Sequence, residues 1–237
     1  MKRREFLTGT ASLGILSLLP GGPLRDPGAG AAAGTLIPLK PPANGPVHVA
    51  VALTEGATVI DFAGPWEVFQ DVNVPGREDA FRLYTVGDST KPIIGSGGLQ
   101  LVPDYSFQNA PPPHVIVVGA QRGSDALIRW LDTVGRKTDL TMSVCTGAFQ
   151  LAKAGLLKGM PATTHHDFTD RLASTYPDIQ VRRGLRFVES SPRIATAGGL
   201  SSGIDLALRV VERYYGRDAA ARTAAYMEYQ GTGWRAS

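Results

Sequence analysis

Residues 139–159 read DLTMSVCTGAFQLAKAGLLKG, a β-branched and apolar stretch that gives way to a helix-forming one at Cys145, the single cysteine of the chain. Around it, Ser143-Val144-Cys145-Thr146-Gly147 has the small-x-nucleophile-x-small spacing of a nucleophile elbow, a strand-to-helix turn with no room for large side chains two positions to either side. Unpaired N–H groups and the dipole at a helix N-terminus favour an anion, so this placement predicts a stabilised thiolate, reactive near neutral pH. The bland alternative is a buried cysteine packed as a small hydrophobe.

Outward from Cys145, the chain reads as strands alternating with helices. VHVAVAL (47–53) is a short apolar run without helical period and reads as a first, internal strand. GPWEVFQDV reads as a helix with Pro65 in its first turn, where a missing N–H costs little. FRLYTVG from Phe81 and HVIVVGA ending at Ala120 are further strands; Gly95 to Leu101 suggests a short strand or hairpin, and Ser124 to Arg136 an amphipathic helix. After Cys145 come a helix from Thr146 to about Ala154, a short strand at ATTHH, and a helix over Asp167–Ala173. Strands at IQVR, LRFVES and RIATAG follow, then two closing helices, the first with Ile204, Leu208, Val211 and Tyr215 on one face. Such alternation predicts an α/β fold with a parallel sheet covered on both sides, its active site outside the carboxyl ends of the strands.

The N-terminus has a different character. MKRREFLTGTASLGILSLLP carries adjacent Arg3 and Arg4 before a mildly apolar segment, the pattern of a twin-arginine export signal. Residues 1–33 are expected to be that signal, with cleavage after Ala31 or Ala33, and an uncleaved anchor is the runner-up. The expected setting is therefore bacterial and periplasmic or otherwise extracytoplasmic, reached in the folded state, with no stable membrane association after cleavage. Residues 34–46, rich in Pro, Gly and Ala, are expected to be a disordered linker, and 47–237 a single domain. The formal charge of +3 falls to +1 without the leader, which holds four bases against two acids, so nothing calls for nucleic acid. One cysteine cannot form an internal disulfide, which leaves reactivity or burial to account for it.

SVCTGAFQLAKAGLLKGMPATTHH, preceded by VIDFAGPWEVF and followed by AGGLSSGIDLALRVVERYYG, resembles the ThiJ/PfpI superfamily, and within it the isonitrile hydratases. The resemblance spans Val47 to about Tyr229. It implies a three-layer parallel-sheet sandwich of the flavodoxin-like, class I glutamine amidotransferase-like kind, with Cys145 as nucleophile and Asp61 as its acidic partner. A carboxyl beside a thiolate must share or hold a proton, because two adjacent negative charges are unfavourable, and Asp61 could then move protons during attack. Alternatively Asp61 only caps the helix near Pro65.

In isonitrile hydratases the thiolate adds to the terminal carbon of R–N≡C, the nitrogen is protonated, and water releases an N-substituted formamide without metal or organic cofactor. The resemblance gives Thr146 a backbone N–H in an oxyanion-hole-like site; its plain role is helix initiation. His165 falls where the superfamily commonly has a histidine near the cysteine, as a base or merely holding a loop. His166, Trp66 and Glu67 read as structural or pocket-lining, and His48 and His114 have no assigned role. Members usually carry Pro-Gly-Gly where this chain has Gly119-Ala120-Gln121. The backbone donor there falls to Ala120 or Gln121, and the Gln121 amide is expected close to the substrate.

The small-molecule hydratase or hydrolase has two competitors. One is a non-catalytic ligand-binding module like the sensor halves of AraC-type regulators, and the other is a redox or stress-protection protein whose cysteine oxidises. The superfamily also implies a homodimer.

Overall fold

The computed structural model describes residues 37–235, so the expected signal of residues 1–33 lies outside the described residues. The sheet begins with β1 (Val47–Ala52), β2 (Phe81–Gly87), a small hairpin of β3 (Ile93–Ile94) and β4 (Gln100–Leu101), and the short β5 (Tyr105–Ser106). It continues through β6 (Val115–Val118), β7 (Leu140–Ser143), β10 (Phe187–Ser191) and β11 (Ile194–Ala197), with β8 (Pro161–Ala162) and β9 (Gln180–Val181) paired apart from it. The seven-stranded sheet runs β10-β11-β7-β6-β1-β2-β5, parallel except where β10 meets β11. This is the mostly parallel, helix-flanked sheet of a flavodoxin-like fold.

Alternation at period two fills both faces. Val47, Val49 and Val51 of β1 join one core with α1 (Val59–Gln70), α5 (Ser202–Tyr215) and α6 (Arg217–Tyr226), through Phe69, Leu206, Val210 and Ala220. Ala50 and Ala52 face the other core, with Leu127 of α2 (Asp125–Trp130), Leu151 of α3 (Gly147–Lys153) and Leu172 of α4 (Thr169–Thr175). A strand buried on both faces has no polar side to alternate with, which is why it reads as a continuous apolar run. Among the described residues no helix is long and apolar enough to cross a membrane.

Several local expectations are corrected. Helix α1 starts at Val59, so Pro65 lies inside it rather than in its first turn, and Asp61 occupies the first turn instead of a capping position. The strand expected at ATTHH stops at Ala162; Thr163 N–H turns to the Thr196 hydroxyl and a 3-10 turn follows at His166–Phe168. Helix α5 is enclosed nearly all round, because its polar side is closed by buried ion pairs of Arg209 with Glu189 and Glu212. The end of the expected disordered linker is pinned: Leu39 N–H donates to Arg213 O, Arg213 donates to Ile37 O, and Arg77 donates to Pro42 O.

The order of connections places the site. The chain leaves β1 toward β2 on one side and later returns to β6 on the other, so the crevice at the carboxyl ends of β1 and β6 is a topological switch point. Strand β7 lies next to β6 and ends at Ser143, two residues before Cys145. Close approach of α3 to that edge is possible because a β-carbon on Gly147 would run into the Val118 carbonyl oxygen. Gly147→Ala is expected to lower unfolding free energy by about 3 kcal/mol, since backbone must move to admit the methyl group; an unchanged urea midpoint contradicts this packing.

Candidate active site

Cys145 carries a backbone φ of 58°, in the left-handed region that costs a side-chain-bearing residue about 1–2 kcal/mol. The turn is held from both ends. Cys145 N–H donates to Gly198 O at 2.8 Å, Thr164 Oγ1 donates to Cys145 O at 2.9 Å, and Gly147 N–H closes on Val144 O at 3.0 Å. Strain at a reactive side chain persists only where its surroundings over-determine it, and here they do.

Asp61 comes to the same point from α1. It is fully buried, its Oδ2 accepts from Ala120 N–H at 2.9 Å, and its carboxyl group lies beside the Cys145 thiol. Oδ1 is buried without a hydrogen-bond partner among the described residues. A β-carbon on Gly119 would stand 2.9 Å from Asp61 Cβ, so the bare glycine is what lets α1 close on the end of β6.

Burial dominates the electrostatics. It pushes the Asp61 carboxyl up to about 6, against the Ala120 N–H, the Cys145 contact and the His165 charge, which act downward in that order. Burial and then the Asp61 charge push the Cys145 thiol up to about 11, against the Thr146 and Leu200 N–H groups directed at the sulfur. The expectation of a thiolate stabilised near neutral pH is thus corrected: with Cys145 only 7% exposed, desolvation and a neighbouring carboxylate outweigh the two donors. At neutral pH the proton rests on sulfur and the charge on the carboxyl group.

Other residues differ from their expected places. Ala120 N–H is engaged by Asp61 and is not a free anion donor. Gln121 N–H has no acceptor among the described residues and stays available. The Gln121 amide does not approach a substrate: Oε1 accepts from Thr54 N–H at 2.6 Å and Thr54 Oγ1 at 2.9 Å, while Nε2 donates to Ala52 O. Together with Gln150 Nε2, which donates to Gln121 O, it ties the 120–123 loop to the end of β1. Thr146 precedes α3 with no side-chain cap, its N–H turned to sulfur. His165 Nδ1 accepts from Asp167 N–H and its ring lies over Gly199; it makes no hydrogen bond to Cys145 or Asp61.

Leu200, with φ 51°, was not singled out from the sequence, although the AGGLSSG segment that contains it was. A leucine gives no advance sign of left-handed backbone; only the two glycines before it marked a tight loop. Ligand atoms of His165, His166 and Asp167 lie within 4.8 Å of one another. The two rings are stacked 4.3 Å apart at 28°, so their lone pairs run side by side instead of converging on an ion. A cavity of about 820 Å³ beside Gln70–Glu78 and Tyr226 lies at the opposite end of α1 from Asp61 and contains no nucleophile.

A carboxyl group raised by burial makes folding pH-dependent in a definite sense. The unfolded chain loses this proton near its ordinary value of 3.8 and the folded one only near 6, so stability is full below about pH 4 and declines as pH rises through 6. Asp61→Asn is expected to be more stable than wild type by about 2–3 kcal/mol near pH 8 and equal to it near pH 4, measured by urea denaturation at both. Equal stabilities near pH 8 contradict the assigned burial of charge.

The description "DJ-1/PfpI family" matches residues 47–213. An isonitrile hydratase of Pseudomonas putida is 31% identical over 180 residues, covering 72% of this chain and 73% of that protein. The HTH-type transcriptional regulator GbdR of Pseudomonas aeruginosa is 26% identical over 83% of this chain, which spans only 54% of the regulator's length. The crystal structure of a THiJ/PfpI family protein from Pseudomonas syringae superposes with a TM-score of 0.67 at 27% identity, covering 78% of this chain and 76% of that one. With a mostly parallel sheet, an elbow at its only cysteine and a family match over residues 47–213, this chain belongs to the DJ-1/PfpI family.

Proposed function

We propose that the protein is a cysteine-dependent hydratase of small molecules, converting an isonitrile to an N-substituted formamide. The observation that carries this reading is the contact of a buried carboxyl group with the thiol of a strained elbow. Similarity to the P. putida isonitrile hydratase, across most of both chains, supports the substrate class. Thiol and carboxylate face each other with one proton between them, which suits a reaction that must remove a proton from sulfur and deliver it to the substrate.

The steps balance as follows. Cys145 attacks the terminal carbon of R–N≡C while Asp61 takes the thiol proton. Attack leaves a lone pair on carbon, so Asp61 returns the proton there, which gives the thioimidate R–N=CH–S–Cys145. Electron counting thus puts the first proton on carbon rather than on nitrogen. Water then adds to that carbon, one of its protons passing to nitrogen; Asp61 takes the remaining hydroxyl proton as the C=O bond forms and the thiolate leaves, then hands it to sulfur, which yields R–NH–CHO and the resting thiol. The Thr146 and Leu200 N–H groups, aimed at sulfur, support negative charge there during attack and departure, and the free Gln121 N–H lies on the neighbouring loop. The Asp61 carboxyl, raised to about 6, is a stronger base than an ordinary aspartate yet remains ionised at neutral pH. The proposed setting is extracytoplasmic, from the twin-arginine pattern at Arg3-Arg4.

A second reading is favoured by the regulator similarity together with the 7% exposure of Cys145: a domain that binds a small ligand without turning it over. Turnover separates the two. Cys145→Ala and Asp61→Ala are each expected to abolish formamide production from a simple isonitrile while circular dichroism stays native. In wild type, kcat/KM is expected to rise with pH through about 6, as Asp61 ionises. Retained activity in Cys145→Ala rejects the hydratase reading; calorimetric binding with no product supports the other.

A further inference from the structure

Leu200 stands in an unusual position for a leucine. Its backbone φ of 51° is left-handed, although glycines directly precede it. That conformation is fixed on both sides: Cys145 N–H binds Gly198 O, Ser202 N–H binds Gly199 O at 3.1 Å, and Gly203 N–H binds Leu200 O at 3.1 Å. The His165 ring presses on Gly199 from outside. The Leu200 N–H is thereby brought beside the Cys145 sulfur, two residues after the Gly198 carbonyl that holds the Cys145 N–H at 2.8 Å.

Leu200 is 45% exposed, while Cys145 is 7% exposed. An apolar group held in water beside a reactive centre, in a strained backbone state, has no packing explanation within the fold. It has company. Ile60, next to Asp61 on the first turn of α1, is 40% exposed, and its Cδ1 lies on the flank of Gly64 that Ile204 of α5 also touches. Ile60 and Ile204 thus form an apolar pair where α1 packs on α5, and Leu200 lies two residues before the start of α5.

We propose that Leu200 is a specificity-determining residue whose side chain covers Cys145 and selects substrates with a neutral, apolar substituent, such as a bulky alkyl isonitrile, over polar ones of similar size. This rests on the hydratase reading for the identity of the reacting group, but not for the selectivity of the mouth.

The test compares wild type with Leu200→Asn and Leu200→Gly, both of which tolerate left-handed backbone and keep the N–H donor. Cys145 is labelled with N-cyclohexylmaleimide and with N-(2-methoxyethyl)maleimide, each rate being normalised to that of free glutathione. Wild type is expected to favour the cyclohexyl reagent about tenfold, the scale of one apolar contact, and both variants to lose most of that preference. A wild-type ratio equal to that of glutathione, or variants within about twofold of wild type, overturns the proposal. The same pair of substituents on isonitriles is then assayed for formamide production. If the labelling preference depends on Leu200 while neither isonitrile is turned over, the hydratase reading fails and the role of Leu200 stands. If both are turned over with a preference untouched by the variants, the reverse holds.

Discussion

A single proton held between the Cys145 sulfur and the Asp61 carboxyl group, out of reach of bulk water, is the constraint on which the site depends. Two negative charges in that place are prohibitively unfavourable, so the pair carries one charge or none over the physiological range. Burial decides where the charge sits: the carboxyl is raised to about 6 and the thiol to about 11, which leaves the anion on oxygen. Reactivity at this cysteine therefore comes from a base in contact, not from a free thiolate waiting at a helix end. The short α3 and its few free N–H groups soften the cost of a sulfur anion but do not reverse it.

The fold supplies the contact by bringing three adjacent strand ends to one crevice. β1 delivers the chain to α1 and Asp61, β6 delivers the Ala120 N–H that orients Asp61, and β7 delivers Cys145. Each approach is closer than ordinary side chains allow, which explains bare glycines at 119 and 147. Strain in the Cys145 and Leu200 backbones is the visible cost of aiming one side chain and one N–H at the same point. The large buried interior on both faces of the sheet makes such local costs bearable for a domain of this size.

Much of this was readable from the residues. Buried strands announce themselves as apolar runs such as VHVAVAL and HVIVVGA, and the elbow follows from small residues two places either side of Cys145. The pairing of Asp61 with Cys145, far apart in sequence, came only through resemblance, because no local pattern encodes a long-range contact. The start of α1 was misplaced because Pro65 is a helix-start signal, and tertiary packing carries the helix through it from Val59. The thiol's direction of titration was misjudged because helix position is visible in sequence and desolvation is not. Gln121 was assigned toward the substrate, whereas Thr54 and the Ala52 carbonyl draw its amide into the scaffold, which depends on a contact across more than sixty residues. Leu200 was unreadable for a related reason: left-handed backbone is signalled by glycine, and a leucine takes it only where surrounding hydrogen bonds compel it.

Titration of the Cys145 thiolate by its ultraviolet absorbance, in wild type and in Asp61→Asn, tests the shared-proton account most directly. The account predicts that wild-type thiol ionises at about 11, and that removing the neighbouring carboxylate moves the transition to lower pH. A wild-type thiol that ionises below the ordinary cysteine value of 9.0, or a transition that Asp61→Asn leaves in place, contradicts it.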